Sequence, residues 1–259
     1  MQTQRQAKLL RLLEESGTLS IASLAERLMV STETVRRDVS ALSEIGEVQR
    51  MHGGASLPAT QGESPFRRRM RENSVAKQAI ARVLASKIRN GDSLMLDTGT
   101  TTSYVARALA GHCRLTVITN STDAARALAG RAGNRVFLAG GELRADSGAV
   151  LGEEALDYIE RHSAFYAVIS AGAIHDGEVM DYDTGEAVLA RKMLTRADRR
   201  LLVTDATKFG KRGLACVCRY DALDEIVTDA PLTLEETRAI EAAGVTLSVA
   251  GEGSDYSTG

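Results

Sequence analysis

Along the first sixty residues the apolar positions recur with a helical period; from residue 74 onward they gather into short runs separated by helical stretches. Leu9, Leu10, Leu12 and Leu13 form the apolar stripe of a helix over 4–15, and Ser16-Gly17 places a glycine where a helix C-cap is expected. Ser20 is positioned to cap a second helix whose buried face is Ile21, Leu24, Ala25 and Leu28, spaced i, i+3, i+4, i+7. A short break at Met29-Val30 follows, and Ser31 is positioned to cap a third. Two short helices joined by so tight a turn form a helix-turn-helix.

The third helix carries the first functional argument. At about 100° per residue, Val35, Val39 and Leu42 share a face and must point into a core. Glu33, Arg36, Arg37 and Ser40 then fall on the opposite face, with Thr32 and Thr34 exposed at the first turn. Guanidiniums can make paired hydrogen bonds to a guanine edge, hydroxyls can hold phosphates, and a helix N-terminus adds its dipole. The stretch 46–55 reads as a glycine-rich hairpin with Arg50, His52 and Gly53 at its tip, suited to lie along a DNA backbone or minor groove. Ser31, Thr32, Glu33, Thr34, Arg36, Arg37, Ser40, Arg50, His52 and Gly53 are therefore the expected DNA contacts.

Residues 58–73 hold small and polar side chains, two prolines and the basic cluster Arg67, Arg68, Arg69 and Arg71, and read as a linker. Its arginines suit a solvated helix start or a phosphate contact on DNA or a ligand. Beyond it, strands are expected at 93–97, 115–120, 136–139, 165–170, 201–205, 225–229 and 245–249, with helices at 75–89, 102–110, 124–129, 186–196 and 234–243. Strands without a polar face, alternating with helices, imply a mainly parallel sheet covered on both sides. The expected architecture is thus a winged helix-turn-helix over 1–57, the linker 58–73, an α/β domain over 74–251 and a flexible tail over 252–259.

The strands end in polar loops: Asp97-Thr98-Gly99-Thr100-Thr101, Asn120-Ser121, Gly140-Gly141 and Asp205-Ala206-Thr207-Lys208. In open α/β sheets ligands bind beyond these ends. A strand, a Gly/Thr loop and a helix N-terminus cradle an anion, above all a phosphate. Lys208 supplies a cation, and Asp97 and Asp205 suit sugar or polyol hydroxyls.

Composition narrows the classes. Aromatics are 4% and Trp is absent, which disfavours stacking on single strands. The net charge of −2 does not announce a polyanion partner, and residues 1–58 carry seven acidic and seven basic side chains, so the DNA reading rests on local arrangement. Cys113, Cys216 and Cys218 lack zinc-ligand spacing, and Cys216 and Cys218, on one face of an apolar strand, read as buried free thiols, while His52, His112, His162 and His175 are isolated; no metal or cofactor is expected. No apolar run reaches the ~20 residues of a membrane span, and the polar start lacks a signal core, so a cytoplasmic protein is expected.

Ser31-Thr32-Glu33-Thr34-Val35-Arg36-Arg37-Asp38-Val39, followed by Arg50-Met51-His52-Gly53-Gly54-Ala55, resembles the signature of the DeoR family of repressors. The resemblance continues through Asp97–Thr101, Thr119–Ser121, Gly140-Gly141 and Asp205–Gly210. It implies a C-terminal sensor similar to ribose-phosphate isomerases and coenzyme A transferases, binding phosphorylated sugars. It also implies that Arg69, Lys77, Asp205 and Lys208 take part in the effector response, with Glu186 and Arg191 in a family motif where Ala190 replaces the usual Lys. Segments 138–144, 152–157 and 228–231 look most like glycerol-3-phosphate repressors. The expected function is a DNA-binding repressor, a dimer or tetramer on double-stranded operator DNA, released by a phosphorylated sugar or polyol. Glu186 or Asp97 as the base of an isomerase is the rival reading; neither sits in a catalytic constellation, and an enzyme has no use for a winged helix.

Overall fold

The structure is a computed structural model that describes residues 3–16, 18–51, 53–57 and 63–251; Gly17, His52, 58–62 and the expected tail lie outside the described residues. The chain forms two compact units, Met1–Arg68 and Arg69–Gly259.

The first unit runs α1 (Gln4–Ser16), β1 (Thr18–Ser20), α2 (Ile21–Leu28), α3 (Thr32–Glu44), β2 (Gln49–Met51) and β3 (Gly54–Ser56). The side chains of Ser20 and Ser31 accept from the amides of Ser23 (3.0 Å) and Thr34 (3.2 Å), as caps should. Met29 turns the chain between α2 and α3 in the left-handed region, φ 56°. Leu9, Leu10 and Leu13 of α1 pack with Leu24 and Leu28 of α2 and with Val35, Val39 and Leu42 of α3. The wing differs from a simple hairpin: β1 joins it in the order β1-β3-β2, with Leu19 opposite Ala55. A Cβ at Gly54 would stand 2.7 Å from the Leu19 carbonyl oxygen, so this close pairing needs glycine. Three residues are too short for a visible alternation, so the sequence pattern gave β1 no signal.

A four-residue helix, α4 (Phe66–Arg69), lies in the segment expected to be a linker. The second unit continues with α5 (Ser74–Lys87), β4 (Ser93–Leu96), α6 (Thr100–Ala108), β5 (Thr116–Thr119), α7 (Thr122–Leu128), β6 (Arg135–Leu138), β7 (Glu142–Leu143), β8 (Val150–Leu151), α8 (Glu153–Glu160) and β9 (Ala164–Ser170). It closes with β10 (Ala173–His175), β11 (Glu178–Asp181), α9 (Thr184–Leu194), β12 (Ala197–Val203), β13 (Ala215–Arg219), β14 (Glu225–Thr228), α10 (Leu234–Ala242) and β15 (Thr246–Val249).

All seven expected strands form one parallel sheet in the order β15-β14-β12-β9-β4-β5-β6. Successive residues of a strand enter opposite cores: Leu94 and Leu96 face α5, α6 and α7, whereas Met95 faces α8 and α9. Both faces being covered explains why these strands read as unbroken apolar runs. Two small antiparallel additions, β10-β11-β13 and the β7-β8 hairpin, were not expected. Cys216 and Cys218 lie on β13 as free thiols but are half-buried; Val217 between them is the fully buried side chain. Burial, then the neighbouring Cys216, pushes the Cys218 thiol up to about 12, so it stays protonated and unreactive.

Candidate functional site

On the first unit, α3 turns its arginines outward: the side chains of Arg36 and Arg37 are 65% and 78% exposed, while Val35 and Val39 vanish into the core. Glu33 lies 3.8 Å from each guanidinium, one and a bit turns away along the same face. Ser31, Thr32 and Glu33 are exposed at the helix start; Thr34 and Ser40 are half-buried. Thr32 and Arg36 from α3 and Arg50 from β2 line one cleft of about 360 Å³, floored by Ala22, Gly53 and Gly54. Two guanidiniums from separate elements thus converge on one surface, beside the N-terminus of a helix. That is an arrangement able to meet both base edges and phosphates. His52, expected beside them, lies outside the described residues.

On the second unit the geometry follows from topology. The chain leaves β4 toward β5 and β6 on one side, then returns to β9, β12, β14 and β15 on the other, so the order reverses between β4 and β9. A crevice opens beyond the strand ends at such a switch point. Asp97, Thr98 and Gly99 follow β4 there, and Ser170 ends β9 beside them. A Cβ on Gly99 would lie 2.1 Å from the Ser170 hydroxyl, so only glycine lets the two loops meet. Thr100 and Thr101 then open α6, both buried.

Three polar groups around this turn are buried without a partner: Thr98 Oγ1, Ser103 Oγ and Asn120 Oδ1. Their residues are 3%, 2% and 0% exposed, and such orphans are rare in folded proteins. Other neighbours are committed elsewhere. Ser121 caps α7 through the Ala124 amide at 3.2 Å, and Gly141 approaches the Leu151 carbonyl to start the β7-β8 hairpin. Gly140 and Gly141 sit two strands away from β4, at the sheet's edge.

Several carboxylates gather beside this turn. Burial pushes the Asp97 carboxyl well above its ordinary value, and the charges of Glu186 and Asp181 add to the effect. Arg144, from the β7-β8 hairpin, binds Asp183 at 2.8 Å and Glu186 at 3.5 Å. Asp183 also caps α9 through the Glu186 amide at 2.9 Å. Burial raises its carboxyl, but that amide and Arg144 outweigh burial and hold it below the usual range. Arg144, Asp181, Asp183 and Ser103 were absent from the expected site. The spacing Asp183-x-x-Glu186 was the available signal, since it is a capping pattern that fixes where α9 begins.

The remaining expected residues form a second group. Asp205 is buried and accepts from the Asn73 side chain at 3.1 Å and from the Thr207 amide at 3.2 Å. Lys77 is 4% exposed and donates to the backbone carbonyls of Arg69 (2.5 Å) and Glu72 (2.7 Å). Burial lowers its ammonium to about 8 despite the opposing charge of Asp205. Lys208 and Arg69 are half-buried beside this group and add positive charge to it. Arg191 donates to the carbonyl of Val217 at 3.1 Å and to that of Cys216, and Ala190 is part of the core, so that motif supports β13.

Among the described residues, no group of three or more His, Cys, Asp or Glu side chains could hold a metal ion, and no helix is long and apolar enough to cross a membrane.

Residues 5–61 match the DeoR-like helix-turn-helix domain and residues 72–230 the DeoR C terminal sensor domain. The chain is 35% identical over 231 residues to the Glycerol-3-phosphate regulon repressor of Escherichia coli (strain K12), covering 89% of this chain and 92% of that protein. It is 39% identical over 206 residues to the HTH-type transcriptional repressor CsqR of the same organism, covering 79% of each. Among solved structures, ribose 5-phosphate isomerase A from Methanocaldococcus jannaschii aligns with a TM-score of 0.40 and 17% identity, over 54% of this chain and 56% of that one. With both of its domains matched and its relatives repressors rather than enzymes, the chain belongs to the DeoR family of DNA-binding transcriptional repressors.

Proposed function

We propose that the protein binds operator DNA as a cytoplasmic homo-oligomer and is released by a phosphorylated sugar or polyol, glycerol 3-phosphate being the first candidate. The observation that carries this reading is the turn after β4. There Thr98 and Ser103, with Asn120 from the neighbouring strand end, bring buried polar groups without protein partners to the start of α6. A phosphate at that helix start gains the amides and the dipole of α6 and accepts from the Thr98 and Ser103 hydroxyls, while Asn120 Oδ1 accepts from a hydroxyl of the same ligand. The Asp97–Glu186 side of the crevice offers acceptors, and a protonated Asp97 a donor, to the hydroxyls of the same ligand. The glycerol-3-phosphate choice rests on the name of the relative that shares 35% of this sequence. Two-fold operator sites require at least a dimer.

The test is a thermal-shift series with glycerol 3-phosphate, hexose phosphates and their unphosphorylated parents, because a ligand of the native state raises the melting temperature. An upward shift with a phosphorylated compound alone is expected, together with loss of operator binding at the same concentrations. A shift with glycerol, or with none of the phosphates, overturns the phosphate cradle.

A further inference from the structure

The first residues of the second unit are tied by side-chain hydrogen bonds to α6 and to the loop after β12. Tyr104, in α6 one turn beyond Thr100, donates its hydroxyl to the carbonyl of Met70 at 2.9 Å. Asn73 donates to Asp205 at 3.1 Å and to the Thr207 hydroxyl at 3.2 Å, both in the loop after β12. Lys77 holds the carbonyls of Arg69 and Glu72 from beneath. The first unit ends at Arg68, so residues 69–73 are the covalent exit toward it.

Asn73 breaks a local rule to make its contacts. It stands at the N-cap of α5, where an Asn side chain ordinarily accepts from an amide of its own helix. Here it makes no capping bond and adopts φ 50°, ψ 33°, a left-handed conformation costly for most residues. A cap sacrificed for a bond to a loop 132 residues away marks a contact that serves something other than the helix.

We propose that Tyr104 and Asn73 are the positioning residues that transmit ligand binding to the DNA-binding unit. Tyr104 reports the setting of α6, whose N-terminus cradles the anion, and Asn73 reports the setting of the Asp205–Lys208 loop. Both act on residues 70–73, so a ligand that draws these two elements together shifts the start of the segment leading to Arg68. Neither residue is needed to bind ligand or DNA; each is needed for one to sense the other, which is a coupling between sites. The proposal rests on the effector reading above.

The experiment uses the full-length protein, glycerol 3-phosphate as probe, and an operator selected from random DNA by the wild type. Tyr104→Phe removes one hydroxyl and keeps the ring over which Arg107 lies, 5.4 Å from its centroid. Asn73→Gly keeps the left-handed turn and removes the amide. Both variants are expected to bind operator as the wild type does and to keep its ligand-induced thermal shift. Both should need about tenfold more ligand, or more, to release DNA, the size of an ordinary allosteric coupling. Release at the wild-type concentration, with ligand binding intact, overturns the proposal. Loss of the thermal shift also overturns it, because the residues then belong to the binding site. No thermal shift with the wild type itself removes the effector reading and this proposal together.

Discussion

The guanidinium of Arg5, at the start of α1, embraces both carboxylate oxygens of Asp38 in the middle of α3, with Nη2 3.0 Å from Oδ1 and Nε bonded to Oδ2. The Asp38 side chain is only 7% exposed, so it faces inward directly after two arginines that face outward. The pair ties the reading helix to the helix that backs it and sets the rotation that presents Arg36 and Arg37. Asp38 is therefore expected to support operator binding by placing these arginines, without itself reaching DNA. Arg5→Ala, which leaves the buried Asp38 carboxylate without this partner, should lower the melting temperature of the first unit and weaken operator binding by about tenfold or more, since an unpaired buried charge is among the larger single-site losses. The ligand-induced shift of the second unit should be unchanged. Calorimetry with and without glycerol 3-phosphate checks both; a melting temperature equal to the wild type removes the role given to this pair.

The exposed arginines predict the opposite pattern. Their bonds to Glu33 are at 3.8 Å on an open surface, where such pairs contribute at most about 1 kcal/mol. Arg36→Ala and Arg37→Ala should leave stability nearly untouched and cost about 1–3 kcal/mol of operator discrimination each, the size of a paired base contact. Binding measured against selected and scrambled operators separates the effect from non-specific affinity. An equal loss on both DNAs would show phosphate contacts only.

How far the sequence could be read is clearest at these elements. α3 was legible because Val35, Val39 and Leu42 declare its inner face and Ser31 its start, and the central parallel strands because runs such as Leu94-Met95-Leu96 and Leu201-Leu202-Val203 are apolar toward both cores. The turn after β4 was legible as a strand-to-helix junction because a glycine and a run of threonines follow an apolar strand. The role of Asp38 was not, since an acid at helical spacing looks solvated until Arg5, 33 residues away in sequence, is seen to cover it. Arg144 and Asp183 were missed for the same reason: they meet only when a two-residue strand pair folds back over α9. Lys77 was expected at the ligand; its amine donates to two carbonyls of its own chain, a contact that no residue pattern announces.

Asp97 offers a prediction in which the sign decides. Its folded carboxyl lies above its unfolded value through burial and the charges of Glu186 and Asp181. The native state therefore binds more protons than the unfolded one in that window, and stability falls as pH rises through the folded pKa. Asp97→Asn removes the charge and with it the penalty. The variant should melt higher than the wild type near pH 7.5, and the gap should close as the pH falls toward about 4, the unfolded carboxyl value. A gap independent of pH would mean that the Asp97 carboxyl titrates alike in the folded and unfolded states, so that its surroundings do not raise it.

Lys77 gives the reverse slope. Burial takes its ammonium from 10.5 to about 8, with Lys208 and Arg69 reinforcing the fall and Asp205 and Glu72 opposing it. Because the folded value is depressed, the stability linked to this group is fully present above about 10.5 and is lost as pH falls through about 8. The depression corresponds to a cost on the order of 3 kcal/mol for keeping the charged amine buried at neutral pH. Lys77→Met should thus flatten the rise in stability of the second unit between these two pH values, even though it also frees the carbonyls of Arg69 and Glu72 and lowers stability at every pH. The slope, not the absolute melting temperature, is the diagnostic, because only titration of the amine alters it. Parallel curves for Lys77→Met and the wild type across that window would mean that the amine holds its charge to the ordinary lysine value, which its two backbone bonds alone would then have to sustain.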